Sequence, residues 1–184
     1  LDIVDEVVVE AEFRVMVNGE AVIATTMLPG LEVEFAYGAL FCADIVDTRH
    51  DVLGCTLDAD AGEVSVELAG PAAARAAAAP RRPLAGATAK PAPGMRRPRP
   101  AALAAGLRVA PSCVNEAAEL VHRGSELFRR TGGVHTVAVL DRESQGLVLA
   151  EDIGRHNAFD KAIGACLMQE ADLRSCYAAC TCRV

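Results

Sequence analysis

The 184 residues, 52% of them hydrophobic, carry enough apolar material for the core of one domain or a small pair. The formal net charge is -7, yet residues 71–115 hold eight Lys or Arg and no acid, so the remainder sums by subtraction to -15. An acidic body of this kind excludes a general nucleic-acid binder, whose affinity comes from a basic face that neutralises phosphates. No charged start precedes an apolar run, and no apolar stretch is long enough to cross a bilayer core of about 30 Å, so no membrane partner is expected and the cytoplasm is the expected compartment.

The first seventy residues read as β-rich. Val7-Val8-Val9 is followed by alternating runs at Phe13 to Val17 and Ala21 to Thr26, with Asn18-Gly19 between them as a type I′ hairpin turn. Pro29-Gly30 punctuates, and Leu31 to Cys42 has helical character. Val52 to Leu57 and Val64 to Leu68 predict a second hairpin around residues 58–62.

Residues 71–111 change to Ala, Pro and Arg, with prolines at 80, 83, 91, 93, 98 and 100 that forbid a continuous helix or central strand. The composition fits a linker, and it also fits out-of-frame reading of GC-rich DNA. The predicted division is a β-rich subdomain over 1–70, this linker, and an α/β domain over 112–184. Within the last, Ser112 to Arg130 predicts one amphipathic helix closed by Gly132-Gly133. Val134 to Leu140 and Leu147 to Ala150 predict strands, and Asn157 to Met168 a final helix.

Two loops concentrate polar groups at the ends of apolar elements, where a rigid scaffold usually holds binding residues. In Thr131-Gly-Gly-Val-His135 the glycines permit close backbone approach, while Thr131 and His135 offer hydrogen bonds; the competing reading is a helix cap and strand entry. Glu151-Asp-Ile-Gly-Arg-His-Asn157 packs two carboxylates, a guanidinium, an imidazole and an amide into seven residues. Arg155 is suited to gripping a phosphate and Asn157 to capping the following helix; the competing reading pairs Arg155 with Glu151 or Asp152.

Seven cysteines stand at 42, 55, 113, 166, 176, 180 and 182, an odd count without a secreted disulfide framework. Reduced thiols are expected. No CxxC occurs, the close pair being Cys180-Thr-Cys182, so no structural metal is expected.

Thr131-Gly-Gly-Val-His135, Glu151-Asp-Ile-Gly-Arg-His-Asn-Ala158 and Asp160-Lys161-Ala-Ile-Gly164 resemble, in order and spacing, the signature of the FdhD family of formate dehydrogenase accessory sulfurtransferases. Val17-Asn18-Gly19, Pro29 and the stretch around Tyr37-Gly38 are similar to the family's first region. The resemblance implies an α+β protein whose second part resembles the cytidine-deaminase-like fold. It implies a sulfur carrier between a cysteine desulfurase and the molybdenum bis(molybdopterin guanine dinucleotide) cofactor of formate dehydrogenase.

On the same ground, Thr131, Gly132, Gly133, His135, Glu151, Asp152, Gly154, Arg155, His156, Asn157, Asp160 and Lys161 are the expected cofactor-binding residues. The family's persulfide CxxC would fall between the second hairpin and the Ser112 helix, where this chain has no cysteine before Cys113. Cys113 is then a weak chemical candidate, and whether the chain is an enzyme stays open.

A non-catalytic module that binds the cofactor or docks formate dehydrogenase is the alternative. A zinc deaminase-like hydrolase would need a His/Cys plus CxxC ligand set, which is missing. After about Met168 no further resemblance is expected. Oligomeric state is not set by these residues, and a homodimer is left open.

Overall fold

The computed structural model describes residues 5–79 and 107–183. It is a mixed α+β structure with two sheets. Strands β1 (Ala11–Val17) and β2 (Glu20–Met27) form the predicted hairpin, with Asn18 and Gly19 at φ 50 and 83. Strands β3 (Val52–Asp58) and β4 (Glu63–Leu68) form the second. A parallel pairing of β1 with β4 joins them into one sheet of order β2-β1-β4-β3.

Alternation along β1 and β4 turns Phe13, Val15, Val17, Val64, Val66 and Leu68 inward. Helix α1 (Glu32–Cys42) covers them with Phe35, Ala36, Ala39 and Leu40, and the Phe13 and Phe35 rings meet edge to face at 5.8 Å. Val7 to Val9, expected as strand, lies outside the sheet, with Val7 and Val9 exposed. Valine's strand preference finds no neighbouring ladder there.

The linker reading gives way at its start. Residues Gly70–Ala78 form helix α2, opened by Pro71 and built largely of alanine, the residue that costs least to place in a helix. Ala72 and Ala76, four apart, pack into the first core, and Arg75 reaches the Ile45 carbonyl at 2.9 Å and the Asp47 carboxylate at 3.0 Å. The prolines from 80 to 100 lie outside the described residues.

The predicted helix over 112–130 is two helices, α3 (Pro111–Gly124) and α4 (Glu126–Thr131). They break at buried Ser125, whose hydroxyl donates to the Val121 carbonyl. A side chain on Gly124 would meet Leu149 at 2.3 Å, so glycine lets α3 lie close on the second sheet.

That sheet has order β6-β5-β7, all antiparallel, from β5 (His135–Leu140), β6 (Gly146–Asp152) and β7 (Tyr177–Cys180). Helix α5 (Arg155–Met168) covers one face through Ala158, Ala162 and Cys166, against Val137 and Val139. Helix α3 covers the other, against Ala138 and Leu140. Central β5 is buried on both sides, which explains its unbroken apolar run.

The tail has a place. It supplies edge strand β7, the Tyr177 hydroxyl donates to Ser144 Oγ at 2.9 Å, and the Thr181 N–H donates to the Thr136 carbonyl at 3.0 Å.

The two halves meet where α1 crosses α5. A Cβ on Gly38 would stand 1.8 Å from the Asp160 carbonyl oxygen, and one on Gly164 would stand 1.7 Å from that of Glu34. Only hydrogen fits at either position, so the two helix backbones touch.

Candidate functional site

The hairpin of β5 and β6 sets His135 opposite Asp152 and Thr136 opposite Glu151, so the two polar loops converge at one edge of the second sheet. Strand β6 runs on through Glu151 and Asp152, and α5 begins at Arg155, which leaves a connection shorter than the sequence implies.

Thr131, Gly132 and Gly133 are bonded within the chain. The Thr131 hydroxyl donates to the Leu127 carbonyl at 2.7 Å and accepts from Gly133 N–H at 3.2 Å. Gly132, at φ 64, ends α4 with its N–H on the Phe128 carbonyl at 2.7 Å. The close approach that Gly133 permits is used by Val8, whose Cγ2 would lie 3.1 Å from an added Cβ. An ion pair of 2.7 Å between Glu6 and Arg130 holds that segment beside the loop.

The two carboxylates have different tasks. Glu151 accepts from the N–H groups of Leu127 and Phe128 at 3.0 and 3.1 Å, and from the Thr136 hydroxyl at 3.2 Å. It thereby satisfies free amides in the first turn of α4. Asp152 is fully buried. Its Oδ2 takes Lys161 Nζ at 2.8 Å and Leu28 N–H at 3.0 Å, while its Oδ1 takes Gly154 N–H at 2.8 Å and the Asn157 amide at 3.2 Å.

Lys161 donates also to the Leu28 carbonyl at 2.7 Å, and Asn157 to that of Thr26 at 2.8 Å. A buried charge is tolerable when paired and fully hydrogen-bonded, as here. The network fixes the β6 to α5 connection against the end of β2.

Asn157 therefore does not cap α5. Gly154 holds the N-cap position, and Asn157 sits in the first turn with its amide turned inward. The competing reading, which pairs Arg155 with Glu151 or Asp152, gives way, because both carboxylates serve other partners. Arg155 and His156 are exposed at the start of α5, His135 is half-buried at the start of β5, and Asp160 presents its backbone to Gly38. Cys113 lies apart in the first turn of α3, its N–H on the Ala110 carbonyl at 3.0 Å.

Sequence reasoning missed Thr26 and Leu28 as partners of this loop, since nothing local marks residues more than a hundred positions away. It also missed that Thr181 fastens the end of β7 here, taking the Thr136 N–H on its hydroxyl at 3.0 Å.

A sequence profile described as FdhD/NarQ family matches residues 8–184. The chain belongs to that family. The match continues past Met168, where the resemblance was expected to stop. A relative from Anaeromyxobacter dehalogenans named "Sulfur carrier protein FdhD" is 32% identical over 179 residues, covering 89% of this chain and 61% of the relative. One of the same name from Mycolicibacterium paratuberculosis is 30% identical over 182 residues, covering 90% of this chain and 66% of the relative.

The crystal structure of a putative formate dehydrogenase accessory protein from Desulfotalea psychrophila superposes with a TM-score of 0.72 at 19% identity, covering 97% of this chain and 65% of that one. The fold is shared. The chain spans about three fifths of the length of the family members it matches first.

Proposed function

We propose that this chain works as a sulfur carrier for formate dehydrogenase, accepting sulfur from a cysteine desulfurase and passing it to the molybdenum bis(molybdopterin guanine dinucleotide) cofactor, which is its substrate. Family membership and the printed names of the relatives support the role. The observation that carries the binding part is the edge where Arg155 and His156 stand exposed at the N-terminus of α5, just after Asp152, the strand partner of His135.

A guanidinium grips a phosphate with two hydrogen bonds, and a helix start adds a favourable field. The roles then divide. Arg155, His156 and His135 face the guanine nucleotide end of the cofactor. Asp152, Asn157, Lys161 and Gly154 position the connection from beneath, and Glu151 with Thr131 to Gly133 shapes α4 beside it. All seven cysteines are free thiols, in keeping with a reducing cytoplasm as the place of work.

Titration of GDP by calorimetry tests the edge. Arg155→Ala is expected to bind more weakly by about 1.5–3 kcal/mol at unchanged folded fraction. Equal binding by wild type and variant would remove Arg155 from the site, and absence of binding by wild type would remove the nucleotide role.

One observation favours the alternative of a non-catalytic binding or docking module: no cysteine stands between Cys55 and Cys113, where the resemblance puts the persulfide carrier. Incubation with a cysteine desulfurase and cysteine separates the two. GDP binding without any sulfur uptake would leave only the module.

A further inference from the structure

The segment that leads into β1 lies across the first polar loop without joining a sheet. Residues 5–10 have no strand partner, and among the described residues no backbone hydrogen bond ties them to either half. Val7 and Val9 are 79% and 72% exposed, whereas Val8 is half-buried, so the segment rests on the protein by one side. Backbone with few buried apolar contacts and no hydrogen bonds opens at little cost.

Two of its side chains meet the loop. Val8 Cγ2 would lie 3.1 Å from a Cβ on Gly133, so the valine fills the space that this glycine leaves open. Glu6 Oε2 accepts from both Nε and Nη2 of Arg130, at 2.7 Å each. Arg130 is in the last turn of α4, directly before Thr131, and its Nη1 lies 3.9 Å from Glu126. Glu6 and Arg130 are each 52% exposed, so water weakens their attraction and the pair contributes little to stability.

A guanidinium fork that takes a carboxylate also takes a phosphate, with the same N–H groups. The Glu6 carboxylate thus stands on Arg130 where an anionic ligand would, at the loop that the β5–β6 hairpin brings to the same edge as the start of α5. Val8 meanwhile closes the approach to the Gly133 backbone.

We infer that residues 6–9 form an autoinhibitory strap, in which Glu6 occupies the place on Arg130 that a phosphate group of the ligand takes once Val8 lifts from Gly133. Strap and phosphate exclude each other. The affinity measured is then that of the open form, reduced by the fraction of chains that are open, so a change that loosens the strap tightens binding. A contact that only stabilised the fold would not act in that direction.

The inference rests on the nucleotide reading of this edge for the identity of the ligand, and inorganic pyrophosphate used beside GDP separates the two. Both are titrated by calorimetry into the full chain, as wild type, as Glu6→Ala, and as the double variant Glu6→Ala with Arg130→Ala, at matched folded fraction. Glu6→Ala is expected to bind about two- to fivefold more tightly than wild type, the range of one exposed ion pair. The double variant is expected to bind about tenfold or more weakly than Glu6→Ala, because the phosphate contact goes with the guanidinium. In wild type, cleavage by a glutamate-specific protease after Glu6 and Glu10 is expected to speed up when either probe is present. Equal binding by wild type and Glu6→Ala, a double variant that binds like Glu6→Ala, or cleavage that a saturating probe leaves unchanged or slows overturns the strap and leaves the nucleotide reading intact. The expected pattern with pyrophosphate but not with GDP sinks the nucleotide reading and keeps the strap over an anion site. No binding of either probe to any of the three proteins overturns both.

Discussion

Lys161 and Asp152 meet at 2.8 Å with 1% and 0% of their side chains exposed, a full ion pair inside the protein. Its surroundings decide its value. Asp152 accepts three further hydrogen bonds and Lys161 makes one more, to the Leu28 carbonyl. Removing only the lysine leaves a buried charge without a counter-charge, so Lys161→Ala is expected to lose about 3–5 kcal/mol of stability. The double variant Asp152→Asn with Lys161→Met should lose less, because no bare charge remains. Urea unfolding measures both, and a Lys161→Ala protein as stable as wild type would show that the pair does not hold the connection in place.

The glycines make a second, sharper contrast. Gly164→Ala would drive a methyl group to 1.7 Å from the Glu34 carbonyl oxygen, which belongs to a helix backbone and cannot swing aside. A loss of about 3 kcal/mol or more is expected, with the α1–α5 contact opened. Gly132→Ala meets no atom, and only its φ of 64 is unfavourable. About 1–2 kcal/mol is expected there. Thermal melts of the two variants side by side check the order, and the reverse order would contradict the backbone contact.

Acid stability carries a signature of Asp51. The N–H groups of Thr48 and Asp47 bond its carboxylate at 2.9 and 2.7 Å and hold its carboxyl below the ordinary carboxylate range. A folded pKa beneath the unfolded one gives stability that is present above the unfolded value and is lost as pH falls through the folded one. Asp51→Ala should therefore be less stable than wild type near neutrality, by less than about 1 kcal/mol for so exposed a group. The two should converge in strong acid. Unfolding curves measured from neutral pH downward test this, and a gap that widens toward acid would reverse the sign.

The hairpins, α1, the central strand β5 and α5 were legible because each is announced locally: Asn18-Gly19 by its turn, β5 by its apolar run, α5 by its spacing. The meeting of the two polar loops was legible too, since adjacent strands on a short turn must bring their far ends together. What was not legible depends on distant partners. Lys161 reads as a surface charge until Leu28 and Asp152 enclose it, and Ser125 as an ordinary helix residue until Gly124 lies against Leu149. Helix α2 was hidden by the composition that follows it, although Ala72 and Ala76 already stand one turn apart.

The crossing of α1 and α5 assigns the union of the two halves to surfaces that neither half can use without the other. Gly38 and Gly164 make a socket for backbone, and the Asp152 network fastens its rim to Thr26 and Leu28. These grips join residues on either side of 80–106, so the halves recognise each other by shape as two partners in a complex do. The assembled body, and the edge it carries, is thus held by contacts between residues 5–79 and 107–183 themselves.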